Sequence, residues 1–227
     1  MTTPLQNRVV LVTGATGALG SATAQACARA GATVVLLSRG IPRLEKLYDA
    51  IVAAGGPQPA LYPLDLAGAT EKDYADLADT LERELGALHG LVHCAAELGS
   101  LGPLADVTGE RWQRLLHVNL TAPAIMTREL LPLLKAGAGA AVFVGDSAVG
   151  LGKAYWGGYG VAKIGLEGYA RILADETEGH GLKVHYFIPG PLQSPIRRSA
   201  YPAEPPEALA KPDTAAGRIL ALLAPNP

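Results

Sequence analysis

Short apolar runs rich in β-branched residues alternate along this chain with longer stretches in which apolar positions return every three or four residues, beginning with RVVLVTG and then GALGSATAQACARAG. An uninterrupted apolar run of four to eight residues suits a strand covered on both faces, whereas the 3.6 period marks a helix with one apolar side. On this basis strands are predicted near 8–13, 33–38, 60–65, 89–94, 140–145 and 183–188. Helices are predicted near 18–30, 41–54, 70–86, 109–119, 120–136, 157–178 and 213–223. Gly31, Gly55, Gly86, Gly137 and Gly179 fall at or just past predicted last turns, where glycine commonly ends a helix. Strands alternating with helices are βαβ units, so the predicted fold is α/β: a doubly wound parallel sheet of about six strands with helices on both faces. Right-handed crossovers put every strand's carboxyl end on one rim, which is where such sheets bind ligands. Residues 1–227 read as one domain, since that length lies within the usual range of roughly 50–250 residues.

Charge and cysteine usage narrow the classes of partner. The 19 basic and 21 acidic residues give a net charge of −2 and form no runs, which argues against a nucleic-acid surface. Cys27 and Cys94 lie in apolar segments without CxxC spacing, so they read as reduced thiols rather than a disulfide or metal site. The start MTTPLQNRVVLVTG runs into a strand without a basic leader, and no apolar stretch approaches the ~18 residues of a membrane span. The expectation is a soluble, cytoplasmic protein with a small-molecule partner.

The residues that suggest chemistry fall at the predicted carboxyl ends. TGATGALG, Thr13 to Gly20, closes the first strand and opens the first helix. Its glycines allow a pyrophosphate to approach the backbone, and the helix N-terminus attracts it through free N–H groups. The second strand ends in VVLLSRG: no acid is present to accept from a ribose 2′-OH, while Arg39 after the small Ser38 suits a 2′-phosphate, favouring NADP(H) over NAD(H). Asp65, ending LYPLDL, either pairs with the adenine amino group or caps the next helix. Tyr159 and Lys163 stand four residues apart on a predicted helix and therefore share a face. A cation beside a phenol is expected to lower its pKa and ready it for proton exchange.

Taken together, these pieces resemble the short-chain dehydrogenase/reductase family, in its single-domain branch, over nearly the whole chain. The matching set is TGATGALG, Asp65, HCAA at 93–96, HVNL with Asn119, GDSAVG with Ser147, Tyr159 with Lys163, and PGPLQS at 189–194. Within that family, ELGSLGPLADVTGERWQRLLHVNLTAP and AYWGGYGVAK are most similar to the YciK-like bacterial oxidoreductases. The resemblance implies a Rossmann-type fold and hydride transfer between nicotinamide and a carbonyl or alcohol carbon. It makes Tyr159 the proton donor or acceptor, with Lys163 also bonding the nicotinamide ribose. Ser147 orients the substrate oxygen, and Asn119 holds a water that links Lys163 to solvent. Implied cofactor contacts are Gly14, Thr16, Gly17, Ala18, Leu19 and Gly20 at the turn, then Ser38, Arg39, Asp65 and Leu66. Cys94, Ala95 and Ala96 follow beside the ring, with Tyr159, Lys163, Pro189, Gly190, Leu192 and Ser194 completing the set.

Several departures from the family pattern carry expectations of their own. Gly14-x-x-Gly17-x-x-Gly20, with Ala18 where glycine is common, matches the spacing of the larger sugar-nucleotide epimerases, whose second lobe this chain lacks. HCAA replaces Asn-Asn-Ala-Gly, with His93 expected to support the turn rather than act as a base. Asp146 beside Ser147 would raise the phenol pKa, but strand alternation predicts that it faces away if Ser147 faces the cleft. The chain ends at LLAPNP, where relatives add a seventh strand, so a six-stranded sheet and a homodimer on the helices near 109–136 and 157–178 are expected. The Pro-rich segment 194–212 is the expected substrate lid. Leu98, Leu101, Trp156 and Tyr155 are candidate apolar walls, and Arg197 and Arg198 either attract an anion or stay solvated. A non-catalytic NADP(H)-binding regulator that keeps the fold is the rival reading.

Overall fold

The computed structural model describes residues 3–150 and 152–225. Its strands are β1 (Val9–Thr13), β2 (Thr33–Ser38), β3 (Ala60–Pro63), β4 (Gly90–His93), β5 (Ala140–Val144) and β6 (Lys183–Phe187). Between and after them lie α1 (Ala18–Arg29), α2 (Ile41–Ala53), α3 (Glu71–Leu85), α4 (Gly109–Leu116), α5 (Ala122–Ala136), α6 (Gly157–Glu176), α7 (Pro195–Ala200) and α8 (Pro212–Leu223). All strand pairs are parallel, in the order β3-β2-β1-β4-β5-β6. The order reverses between β1 and β4, which opens a crevice outside their carboxyl ends. The expected doubly wound sheet of six strands is therefore present among the described residues.

Alternation along the strands feeds two layers. Val10, Val12, Val34, Leu36, Val92 and Val142 pack with Cys27, Leu44, Ile51 and Ile219, so α1, α2 and α8 cover one face. Leu11, Val35, Leu37 and Leu91 point the other way, onto Tyr74, Leu77, Met126 and Leu130 of α3 and α5. Phe143 and Ala141 extend that second face onto Leu166, Ala170 and Leu173 of α6. Truncating a fully buried side chain such as Leu11 to Ala is expected to cost about 2–5 kcal/mol, because the rigid sheet around it closes the cavity only in part.

Two segments depart from the sequence expectation in ways that shape the site. The predicted helices 109–119 and 120–136 form one continuous rod, interrupted by a π-helical turn over His117–Thr121. The proposed lid is not an irregular loop. It contains α7 and a 3₁₀ turn at Pro206–Ala208, and a bridge between Leu192 and Ala210 closes its base. Proline at the first position of α7 and Ser194 accepting from the Arg197 amide start that helix, two signals that a Pro-rich composition conceals. Helix ends also differ in one instance. Gly86 takes the left-handed conformation expected after α3, but Gly137 stays at φ −80°, and a Cβ there would lie 2.3 Å from the Leu88 carbonyl oxygen. Close backbone approach, not handedness, requires that glycine.

Candidate active site

The crevice at the reversal point opens into a cavity of about 770 Å³. At one end is the β1–α1 turn. Gly14 has φ +61° and packs so tightly on the β4 loop that a Cβ would lie 2.7 Å from Ala95 Cα. A Cβ on Gly20 would lie 2.2 Å from the Gly14 carbonyl oxygen, so the first turn of α1 closes onto the loop only with glycine there. Gly17 caps α1 without any side-chain bond, and no acidic residue occupies the first turn. The N–H groups and positive dipole end of α1 thus face the cavity without a competing side chain, which is the arrangement that binds a phosphate. Ala18, with its extra methyl, is accommodated on the cavity wall.

Thr13 ties this turn to β4, accepting from the Ala95 amide at 3.2 Å through its Oγ1. Beyond it, Thr16 and Ser38 share a 2.7 Å hydroxyl bond, and Arg39 and Arg43 line the cavity from the start of α2. Both guanidinium groups lie on exposed residues and join none of the ion pairs among the described residues. Asp65 accepts from the Ala67 amide at 3.1 Å, a local turn bond that uses one carboxylate oxygen and leaves Oδ2 open. Of its two expected roles, the helix cap is not taken, since Thr70 caps α3 in a capping box with Asp73, while Asp65 and Leu66 line the cavity.

At the other end, α6 presents Tyr159 and Lys163 on one buried face, 3% and 2% exposed. The Lys163 ammonium lies 5.8 Å from the Tyr159 ring centroid and donates to the Val144 carbonyl at 2.7 Å. Tyr159 donates its hydroxyl to Asp146 Oδ2 at 2.8 Å, and Asp146 Oδ1 accepts from the Ala148 amide. This overturns the expected orientation of Asp146. β5 ends at Val144, so alternation no longer operates two residues later. Gly145 extends the ladder by one bond to the Phe187 carbonyl, and the chain then turns so that Asp146 faces the phenol. Ser147 also lines the cavity, but it is exposed and its hydroxyl makes no bond among the described residues.

The electrostatics differ from expectation as well. Burial first, and then the Asp146 carboxylate, push the phenol well above its usual range, so the lowering by Lys163 alone does not describe this site. Burial brings Lys163 down to about 8, against the opposing pull of Asp146. The buried His93 is held down to about 3; its Nε2 shares a 2.8 Å bond with Thr127 and its ring stacks on Phe143 at 4.9 Å. These contacts fit support of the turn.

Of the catalytic and cofactor-contact candidates, Asn119 alone does not line the cavity. Within the π-helical turn it is fully buried, accepting from the Glu97 amide and donating to the Glu97 and Leu115 carbonyls. The widened turn frees the Leu115 carbonyl for a side chain, and Asn119 uses it to pin the loop after β4. Glu97, absent from the sequence reading, is held in a bidentate pair by Arg114 at 2.7 and 2.9 Å. No motif signals it.

Over the Tyr159 end sits the 194–212 segment. Tyr201 lies 6.0 Å from Trp156, beneath the Arg197 guanidinium and bonded to Lys153 at 2.7 Å. Trp156, Ile196 and Ala200 supply apolar wall, and Leu98 and Leu101 back it. Tyr155 does not. Its φ of 74° turns it outward, 63% exposed. Arg197 is neither free nor solvated, since Glu204 holds it at 2.5 and 2.7 Å.

The model of the short chain dehydrogenase family matches residues 8–205. The chain belongs to the short-chain dehydrogenase family. Among its relatives is the uncharacterized oxidoreductase YciK of Escherichia coli K12, 37% identical over 209 residues that make up 92% of this chain and 82% of that protein. The solved structure of the oxidoreductase yciK from E. coli covers 99% of this chain and 92% of its own at a TM-score of 0.94 and 35% identity. Two further neighbours are a Shigella flexneri 2a protein complexed with NADP (TM-score 0.95, 34% identity) and an E. coli CFT073 protein complexed with NADPH (TM-score 0.94, 35% identity). Each covers 99% of this chain and is covered over 94% of its own length. Every cofactor-contact residue that the family resemblance implied, from Gly14 to Ser194, lines the single cavity described above. No helix among the described residues is long and apolar enough to cross a membrane.

Proposed function

We propose that this chain is an NADP(H)-dependent oxidoreductase that moves hydride between nicotinamide and a small organic substrate, with Tyr159 exchanging the proton. The observation that carries the reading is the placement of the buried Tyr159–Lys163 pair at one end of a cavity whose other end is the glycine turn of α1. The lining fits a dinucleotide phosphate: Gly14 and Gly20 let the turn close where a Cβ would strike backbone, and α1 has no side-chain cap. Arg39 and Arg43 beside Ser38 would hold the 2′-phosphate, in keeping with the neighbours solved with NADP and NADPH. When bound, the cofactor supplies or accepts the hydride. Tyr159 holds the transferable proton, Asp146 fixes the direction of its O–H, and Lys163 sets the potential around both while anchored to the end of β5. Trp156, Ile196 and Ala200 exclude water from the reacting carbon.

The test is to titrate NADPH and NADH by quenching of protein fluorescence, then follow nicotinamide absorbance over a panel of carbonyl, imine and alcohol compounds. Turnover that collapses in Tyr159→Phe with NADPH affinity preserved is the expected result. Activity that survives in Tyr159→Phe removes the proton-transfer assignment, and binding without any turnover across the panel favours a regulatory role.

A further inference from the structure

From the contacts of Asp146 we infer that the pocket selects substrates bringing positive charge or an N–H donor to the reacting centre, specifically protonated C=N compounds rather than simple ketones. The inference rests on the hydride-transfer reading above and specifies its substrate class.

Asp146 is partly buried, lines the cavity and takes the Tyr159 hydroxyl at 2.8 Å. A carboxylate accepts hydrogen bonds and donates none when ionised. A ketone oxygen needs donors, and with Asp146 beside the phenol it would meet one donor already committed to that carboxylate and one acceptor that repels its developing charge. Ser147 offers a hydroxyl from the cavity wall, at an exposed position and outside the Tyr159–Asp146 bond.

The carboxylate feels the charges of Lys163 and Arg197 but forms an ion pair with neither. Among the described residues it joins no ion pair; Arg197 on the lid is held by Glu204, and Lys163 donates to the Val144 carbonyl. The remaining ring neighbours on that side, Trp156, Tyr159 and Tyr186, are neutral. A partly buried carboxylate whose bonds come only from a phenol and one amide has no direct ion pair, and a cationic ligand would supply one. An iminium carbon beside Asp146 satisfies that requirement before the reaction.

The step balances without any other reagent. Hydride forms the new C–H bond, the π pair of C=N⁺ moves onto nitrogen, and the substrate is reduced to an amine as NADPH is oxidised to NADP⁺. If the imine arrives neutral, Tyr159 delivers the one proton that nitrogen needs.

Two readouts keep this inference separate from the hydride-transfer reading. Calorimetry on the NADP⁺-loaded protein compares pyrrolidinium with cyclopentanol, and spectrophotometry with NADPH compares 2-methyl-1-pyrroline with 2-methylcyclopentanone. Both are run on the wild type, Asp146→Ser and Asp146→Asn. Tighter binding of the cation by about 10- to 100-fold is expected, as a charge-assisted bond implies. That preference should vanish in both variants, with the imine-to-ketone ratio of kcat/KM falling in step. Equal or weaker binding of the cation by the wild type, or a preference unchanged in both variants, overturns the inference. Reduction of the ketone in preference to the imine by the wild type also overturns it and leaves the hydride-transfer reading standing. Failure of that reading looks different: NADPH binds, the cation preference is present, and nothing is reduced.

Discussion

Replacing Lys163 with methionine should change how stability depends on pH, in a direction fixed by the burial of that ammonium. Lys163 is 2% exposed and its pKa is brought down from 10.5 to about 8, chiefly by burial. The folded state therefore binds fewer protons here than the unfolded chain between about pH 8 and 10.5. Stability must rise with pH across that window, the reverse of a lysine that gains a partner on folding. Below pH 8 the buried charge is a full burden, on the order of 3 kcal/mol at 1.36 kcal/mol per pKa unit. Integrating from pH 7 to 9.5 relieves about 2 kcal/mol of it. Lys163→Met abolishes the titration and leaves the Val144 carbonyl without its donor, a cost that does not vary with pH. Urea denaturation of both proteins at pH 7, 8, 9 and 9.5 isolates the effect, because other titrating groups cancel in the difference. The wild type should gain about 2 kcal/mol relative to the variant over that range. A difference that stays flat, or moves in favour of the variant, would refute the account of a desolvated ammonium.

Other expected outcomes concern the cofactor, the proton and the assembly. Arg39→Ala should weaken NADPH by about tenfold, the lower end for a charge-assisted bond because the residue is exposed, while leaving NADH unchanged in equilibrium titrations. Equal loss for both nucleotides would move the phosphate contact elsewhere. Tyr159→Phe should lower kcat by on the order of 10²-fold or more on any compound found to turn over, with NADPH affinity intact. Gly20→Ala should abolish tight NADPH binding, since a Cβ 2.2 Å from the Gly14 carbonyl oxygen forces the turn open; a variant binding as well as the wild type would contradict the tight-turn reading. Sedimentation equilibrium should give a dimer through the α4–α5 rod and α6, where Val161 and Ile164 are 44% and 42% exposed, and Ile164→Glu should shift it to monomer. A stable tetramer would count against that interface.

What the sequence disclosed, and what it withheld, divide along the range of the forces involved. Strand positions came within two residues because runs such as VVLLS must be buried on both faces, and no other placement hides them. The glycine turn was legible for a similar reason: tight strand-to-helix geometry leaves few alternatives to Gly14 and Gly20. The π-helical turn was not legible, because HVNL is ordinary helix by local preference, and only the bonds of Asn119 to Glu97, 22 residues earlier, compensate for the disrupted helical pattern. The orientation of Asp146 was lost on a still finer point. Alternation predicts which way a side chain points only while the ladder continues, and β5 ends two residues too soon. Gly145 controls that ending: a Cβ there would lie 2.2 Å from the Tyr186 ring, contributed by β6 from 41 positions further along the chain. The backbone can pass under Tyr186 and turn only because no side chain intervenes, and that turn delivers a carboxylate rather than a hydroxyl to Tyr159. The chemistry of the pocket therefore depends on a glycine that lines the cavity but brings no side chain to it. Gly145→Ala should disrupt the Asp146–Tyr159 bond without altering either residue, a displacement that an ultraviolet titration of the phenol against wild type would register as a lower pKa. An unchanged titration would show that Asp146 reaches the phenol without that turn.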